Sequence, residues 1–491
     1  MITALTVLVA IGVLAWGFYR ARPLGKLGLL AWLQSVVLMA PWLLFFGLFA
    51  IGIYLNIVWV LLLFVLSTGL YIYIGRQLRV QGQDALTQRA ATIAATQKSA
   101  ETSIEANSPA PSPEAAIDPD VLPIPAEDLK AIQSIFGVDT FFATETIPYQ
   151  EGAVFRGNLR GEVEPTFDRL TDHLKEKLDD RYRLFLVENQ DGKPVVIVLP
   201  SSRDPQPATL TQKIVAAMLL LGTIATCLAS AGFMLGFDLF MTPTRWVETL
   251  PIGLGILTIL ATHELGHWLL ARQHGVRLSI PFFLPTLQIG AFGAITRFES
   301  TLRNRTVLFD IAFAGPAAGG LLSLGMLVLG LLLSHQGSLF QIPTEFFQGS
   351  ILVGTLTRVV LRESLQQPIV DVHPLVVLGW LGLVITALNL LPAGQLDGGR
   401  IVQAVYGRKL AGRTTIAALV ILGLAALVNP LALYWTIIVV FLQRELERPS
   451  QNELTEPNDA RAALALLALF LMVAILLPLT PSLAGRLGIG Q

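Results

Sequence analysis

Two of the chain's six histidines flank a glutamate at a four-residue spacing, in His263-Glu264-Leu265-Gly266-His267. Residues four apart share one face of a helix, so both imidazoles can meet a single metal ion. Neutral imidazole suits Zn²⁺. Glu264 is offset by one position, which aims it at water beside the metal rather than at the metal. A metal lowers the pKa of such water towards neutrality. A glutamate so placed can take its proton and pass it to a leaving amine. That is the chemistry of peptide-bond hydrolysis. The competing reading is a polar patch inside a helix bundle. It would set three ionisable groups in an apolar segment, where such groups are costly and generally functional.

A catalytic zinc takes three protein ligands and keeps one position open. A third histidine ten residues after His263 would complete a known pattern, but Gln273 stands there. His274 comes one place later, and Leu270 occupies the position where that pattern needs glycine. His274 is expected in the loop past the helix end. His335 and His373 fall on the opposite side by a count of apolar spans, and His173 lies in a soluble segment. Carboxylates remain. Asp397 follows an apolar span at 375–391, within Asn389-Leu390-Leu391-Pro392-Ala393-Gly394-Gln395-Leu396-Asp397-Gly398-Gly399-Arg400. Pro392 and Gly394 break the helix and let the backbone turn the carboxylate inward. These residues read equally well as a plain Asp-Gly turn, and Glu299 is a second carboxylate on the same side.

The elements that position these residues belong to a membrane protein. The chain is 53% hydrophobic and 14% charged, against about a quarter charged in soluble domains. Net charge is −1, which offers nothing to nucleic acid, and the single Cys227 excludes an intramolecular disulfide framework or a cysteine-rich cage. Apolar stretches long enough to span, or nearly so, lie at 2–18, 28–50, 55–75, 214–236, 251–270, 306–334, 375–391 and 461–479. Two shorter runs, 414–428 and 431–443, flank Asn429-Pro430 and read as a tight hairpin or one kinked helix. The apolar segment 281–298 is broken by prolines and glycines and is expected to be a re-entrant hairpin. The first span precedes Arg20, Arg22 and Lys26, the reverse of a signal peptide, so it reads as a retained helix. One alternation of spans puts most basic loops on the cytoplasmic side, with Arg358 and Arg362 as exceptions.

The expected organisation is a mainly α, polytopic membrane helix bundle with a re-entrant hairpin, plus a small soluble α/β domain. Residues 1–79 form N-terminal membrane helices and 80–120, rich in Ala, Gln, Ser, Thr and Pro, a flexible linker. Residues 121–205 form the soluble domain, 208–445 the core that carries the chemistry, and 446–491 a C-terminal membrane helix with its flanks.

Together the two motifs resemble the site-2 protease family of intramembrane zinc metalloproteases. Its signatures are HExxH on one core helix and N-x-x-P-x-x-x-x-D-G on another, matched here at 263–267 and 389–398. The resemblance implies that His263, His267 and Asp397 bind Zn²⁺, that Glu264 is the catalytic base, and that Asn389 lies near the substrate. Gly290-Ala291-Phe292-Gly293-Ala294 at the hairpin and Phe313-Ala314-Gly315-Pro316, expected at a helix start, are similar to the family too. Gly157-Asn158-Leu159-Arg160 resembles the GNLR motif of the chloroplast and cyanobacterial branch. The likeness covers about 208–445 and leaves the first three spans without a counterpart. It implies hydrolysis of transmembrane protein substrates within the bilayer. The housing would be a bacterial plasma or thylakoid membrane, with the site towards the cytoplasmic side. A non-proteolytic transporter or scaffold on the same bundle is the alternative.

Overall fold

The structure is a computed structural model. Its described residues are 12, 14–50, 63, 66–67, 70–71, 73–75, 77–78 and 124–489 without 150, 190, 428 and 488. The expected spans at 2–18 and 55–75 lie largely outside them, and the linker at 80–120 lies wholly outside. The chain divides into two compact units, Met1–Ala115 and Ala116–Gln491. In the first, helix α1 (Gly25–Ala50) carries Pro41 and is tied through the Trp32 indole to the Leu14 carbonyl at 2.9 Å.

The second unit opens with an α/β portion. Helix α2 (Ala126–Gln133) leads to strands β1 (Phe141–Tyr149) and β2 (Gly152–Leu159), helix α3 (Val163–Leu178), and strands β3 (Tyr182–Glu188) and β4 (Pro194–Pro200). The strands form an antiparallel sheet in the order β1-β2-β4-β3. On α3, Phe167, Leu170, Leu174 and Leu178 recur at helical spacing and are all buried. They pack on the inward residues of the sheet, among them Phe155, Leu184, Leu186 and Val198. Gly157, Asn158 and Leu159 lie on β2, and Arg160 follows its end. Gly157, Asn158 and Leu159 sit opposite Ala143, Phe142 and Phe141.

The membrane portion follows. Helix α4 (Leu210–Met234) starts at a capping box, with the Thr209 side chain accepting from the Gln212 amide and the Gln212 side chain from the Thr209 amide. Then come α5 (Trp246–Gln273), the antiparallel hairpin of β5 (Phe282–Thr286) and β6 (Gly290–Ile295), and α6 (Arg305–Leu333). Beyond these, a short hairpin of β7 (Phe340–Pro343) and β8 (Ile369–Val372) encloses helix α7 (Ile351–Leu361). Helices α8 (Pro374–Asn389), α9 (Asp397–Ala425), α10 (Pro430–Ile438), α11 (Asp459–Leu476) and α12 (Pro481–Leu487) complete the chain. Among the described residues, four helices are long and apolar enough to cross a membrane: Leu210–Met234, Pro243–Gln273, Arg305–Leu333 and Asp459–Leu476. Helix α8 is shorter. The ambiguous stretch at 414–443 is two helices packed together rather than one kinked helix, because α9 ends at Ala425 and Pro430 opens a new helix.

A strap holds the α/β portion to the core. The Leu186 amide on β3 donates to Gln451 O at 2.7 Å, and Glu453 N donates back to Leu186 O at 3.0 Å. On its other side the same segment donates from Gln451 N to Leu302 O and from Asn452 N to Arg303 O, both at 2.8 Å. It therefore occupies the open edge of β3, where unpaired backbone groups would otherwise be exposed. Arg303 adds an ion pair to Asp168 on α3 at 2.9 Å.

Candidate metal centre

Helix α5 presents His263 and His267 on one face, and Asp397 opens α9. All three are buried. His263 Nε2 lies 3.2 Å from His267 Nε2 and 3.2 Å from Asp397 Oδ2, and His267 Nε2 lies 3.4 Å from the same oxygen. Zinc bonds of 2.0–2.1 Å in a tetrahedron require ligand atoms about 3.3 Å apart. The triangle thus has the edges of one tetrahedral face, and its donors are two imidazoles and a carboxylate. It fits a zinc ion with a fourth position left open. Among the described residues this is the one such group of three metal-ligating side chains.

The surroundings set the state of each group. His267 Nδ1 donates to the Ile311 carbonyl on α6 at 2.7 Å. A carbonyl only accepts, so the proton sits on Nδ1 and the Nε2 lone pair faces the triangle. Close approach of α5 and α6 makes this contact possible. A Cβ on Gly315 would lie 2.2 Å from His267 Nε2, so only glycine leaves room for the ring. Gly315-Pro316 lies inside α6 and not at a helix start as expected. Asp397 reaches inward because α8 stops at Asn389 and the chain turns through Gly394, whose φ of 48° is in the left-handed region. Its place in the first turn of α9 also sets a carboxylate at a positive helix end.

Glu264 accepts a hydrogen bond from Thr296 Oγ1 at 2.7 Å, just beyond β6. Sequence reasoning missed Thr296, which belongs to neither motif. Arg400 was missed as well, although Asp397 and Arg400 are three apart on a helix and so share a face. Asn389 donates from Nδ2 to Phe292 O at 3.0 Å and to Ile385 O at 2.9 Å. Both amide protons are therefore committed to carbonyls, one of them on β6, and Oδ1 remains as its acceptor. A cavity of about 20 Å³, lined by His267, Thr296, Asn389, Asp397, Arg400 and Trp435 among others, has room for about one water.

The remaining candidates lie elsewhere. Glu299 Oε1 accepts from the Ala208 amide at 2.7 Å and is not part of the triangle. His274 caps the C-terminus of α5 and pairs with Asp310 at 3.3 Å. His373 caps α8, accepting from the Leu375 amide, and His335 Nδ1 donates to the Gln336 carbonyl.

Comparison with known proteins fits this geometry. The family model for peptidase family M50 matches residues 252–429, a stretch that holds both motifs, and the model described as the EGY3 middle domain matches residues 130–207. The probable zinc metalloprotease EGY1, chloroplastic, of Arabidopsis thaliana is 39% identical over 401 residues, covering 74% of this chain and 73% of the relative. The chain belongs to peptidase family M50. Two further similar proteins are the probable zinc metalloprotease EGY2, chloroplastic, of Oryza sativa subsp. japonica and the probable zinc metallopeptidase EGY3, chloroplastic, of Arabidopsis thaliana. The first is 39% identical over 352 residues (70% of this chain, 64% of the relative) and the second 32% over 372 (69% and 63%). No solved structure matches. Within the M50 match, α5 supplies the histidines and α9 the aspartate, while the EGY3 middle-domain match falls on the α/β portion.

Proposed function

We propose that this chain is an intramembrane zinc metalloendopeptidase in which His263, His267 and Asp397 hold the ion and Glu264 is the base. The single observation that carries the assignment is the triangle of ligand atoms at 3.2, 3.2 and 3.4 Å. Zinc held there supplies a Lewis acid that brings the pKa of water towards neutrality. The protein's own residues do the rest. Glu264 takes the proton from the attacking water and delivers it to the leaving amine. Thr296 holds the carboxylate by its Oε2, leaving Oε1 for the proton transfer. His267, fixed by Ile311, keeps its ring in the metal-binding tautomer.

The substrate in this reading is a transmembrane segment of another protein. A helix in lipid keeps its peptide groups in its own hydrogen bonds, so it must unwind before attack. The β5–β6 hairpin supports that step. We read it as re-entrant, with a strand edge beside the metal site that can hold an extended peptide by main-chain hydrogen bonds. Asn389 then acts on substrate by fixing β6 through Phe292 and by offering Oδ1. The basic loops support a site near the cytoplasmic leaflet of a plasma or thylakoid membrane. The transporter or scaffold alternative is not favoured, because the similar proteins are named zinc metalloproteases and the M50 match spans both motifs. The test is cleavage of a transmembrane-helix reporter by the full chain in proteoliposomes. Loss of cleavage on Glu264→Gln with zinc retained supports the reading, and normal cleavage by that variant refutes it.

A further inference from the structure

Arg400 and Glu447 form a buried ion pair outside the metal triangle. Both residues are more than nine-tenths buried. Arg400 Nη2 lies 2.8 Å and Nε 3.0 Å from Glu447 Oε2, and the guanidinium lies over the Phe298 ring, 4.8 Å from its centroid. Burying such a pair is costly, and apolar side chains of similar volume often serve stability as well or better. Stability alone therefore does not account for it. Arg400 Nη2 also donates to the Thr296 carbonyl at 2.9 Å. Thr296 is the residue whose hydroxyl donates to Glu264 Oε2 at 2.7 Å.

The contacts run without a gap from Glu447 through Arg400 and Thr296 to Glu264. We propose that Arg400 is a positioning residue for Glu264, acting through the backbone of Thr296. This rests on the reading of Glu264 as base. Thr296 lies just past the end of β6. The peptide that follows it is held on its amide side, where Arg297 N donates to Ser279 Oγ at 3.0 Å, and the planar guanidinium holds its carbonyl side. The fork geometry lets one side chain satisfy Glu447 and the Thr296 carbonyl together. Glu447 also heads the strap that fastens the α/β portion. Its carbonyl accepts from Gln403 Nε2 at 3.1 Å, and the strap reaches Leu186 of β3 a few residues later. The network that steadies the base is thus continuous with the one that docks the soluble portion.

The experiment is a double-mutant cycle in the full chain, reconstituted in proteoliposomes with a transmembrane-helix reporter. Arg400→Met, Thr296→Val and the double variant are compared for kcat, KM, zinc content and unfolding midpoint. The expected result is a fall in kcat of about 10- to 100-fold for each single change, with KM within about twofold and full zinc. The double variant is expected to match Thr296→Val, because without the hydroxyl Arg400 has no route to Glu264. Multiplying losses, a change confined to KM, or loss of zinc together with activity overturns the proposal. If Arg400→Met does not fold, Arg400→Lys replaces it. Lysine keeps the charge opposite Glu447 but cannot span both partners. The same kcat loss, absent from the Thr296→Val background, is then expected, and wild-type turnover by Arg400→Lys overturns the proposal. Glu264→Gln runs alongside, and its full activity would overturn the base reading instead.

Discussion

Gly315 on α6 faces His267 so closely that a single added methyl would sit 2.2 Å from Nε2. The ring cannot simply swing aside, since its Nδ1 is bonded to Ile311 O at 2.7 Å. Gly315→Ala should therefore displace a metal ligand while favouring the helix itself by up to about 1 kcal/mol. Zinc affinity is expected to fall at least about tenfold with little change in the unfolding midpoint. Zinc titration against a competing chelator measures it, and unchanged affinity would contradict the packing described for α5 and α6.

Asp397 and Glu299 make opposite predictions. Asp397→Ala removes a corner of the triangle, so the purified protein should lose most of its zinc. Glu299→Ala removes only the acceptor of the Ala208 amide, so zinc should stay at wild-type content. Metal analysis of the two variants decides between them.

Glu264→Gln should retain zinc, because no ligand changes, while kcat falls about 10²- to 10⁴-fold. The amide can still accept from Thr296 but cannot take a proton from water. Equal loss of metal and activity would instead make Glu264 part of the ligand set.

Arg461 on α11 grips Asp310 on α6 through two nitrogens, at 2.7 and 2.9 Å. Arg461→Ala leaves that carboxylate with His274 alone. A loss of about 1.5–3 kcal/mol is expected, read as a lower unfolding midpoint with zinc content intact.

On the four-stranded sheet, Tyr182 donates to Asp128 Oδ2 at 2.8 Å. Burial, and then this bond and the aspartate's charge, push its pKa up to about 12 from its ordinary value of about 10. A pKa raised by folding gives stability that is whole below pH 10 and lost as pH rises towards 12. The tyrosinate absorbance of the full chain should show a late step that Tyr182→Phe removes.

The two imidazoles were legible in the sequence because one helix fixes both. Four residues of spacing are enough, whatever the rest of the chain does. Asp397 was legible only in part. Counting spans gave only an expected side of the membrane, and its inward turn depends on Gly394 and on where α8 stops. Thr296 and Arg400 left no readable signal of partnership, for their contacts cross 32 and 104 residues of chain. Such pairings are set by how a hairpin lies against two helices, which no local pattern encodes. The same reason explains Gly315-Pro316. A dipeptide that reads as a helix start lies inside a long helix, where neighbouring helices can satisfy the freed backbone group. In the α/β portion, the spacing of Phe167, Leu170, Leu174 and Leu178 marks α3 in the sequence, while β1 and β2 lack clean alternation.

The triangle joins side chains 134 residues apart in the chain. An emerging polypeptide that has inserted α5 already carries both imidazoles and the glutamate, yet it lacks the corner needed to retain the ion. Hydrolytic power therefore arrives late, only after α8 has been threaded and α9 has begun. On the proposed ligand set, a copy that stops before Asp397 cannot close the triangle and has no hydrolytic power.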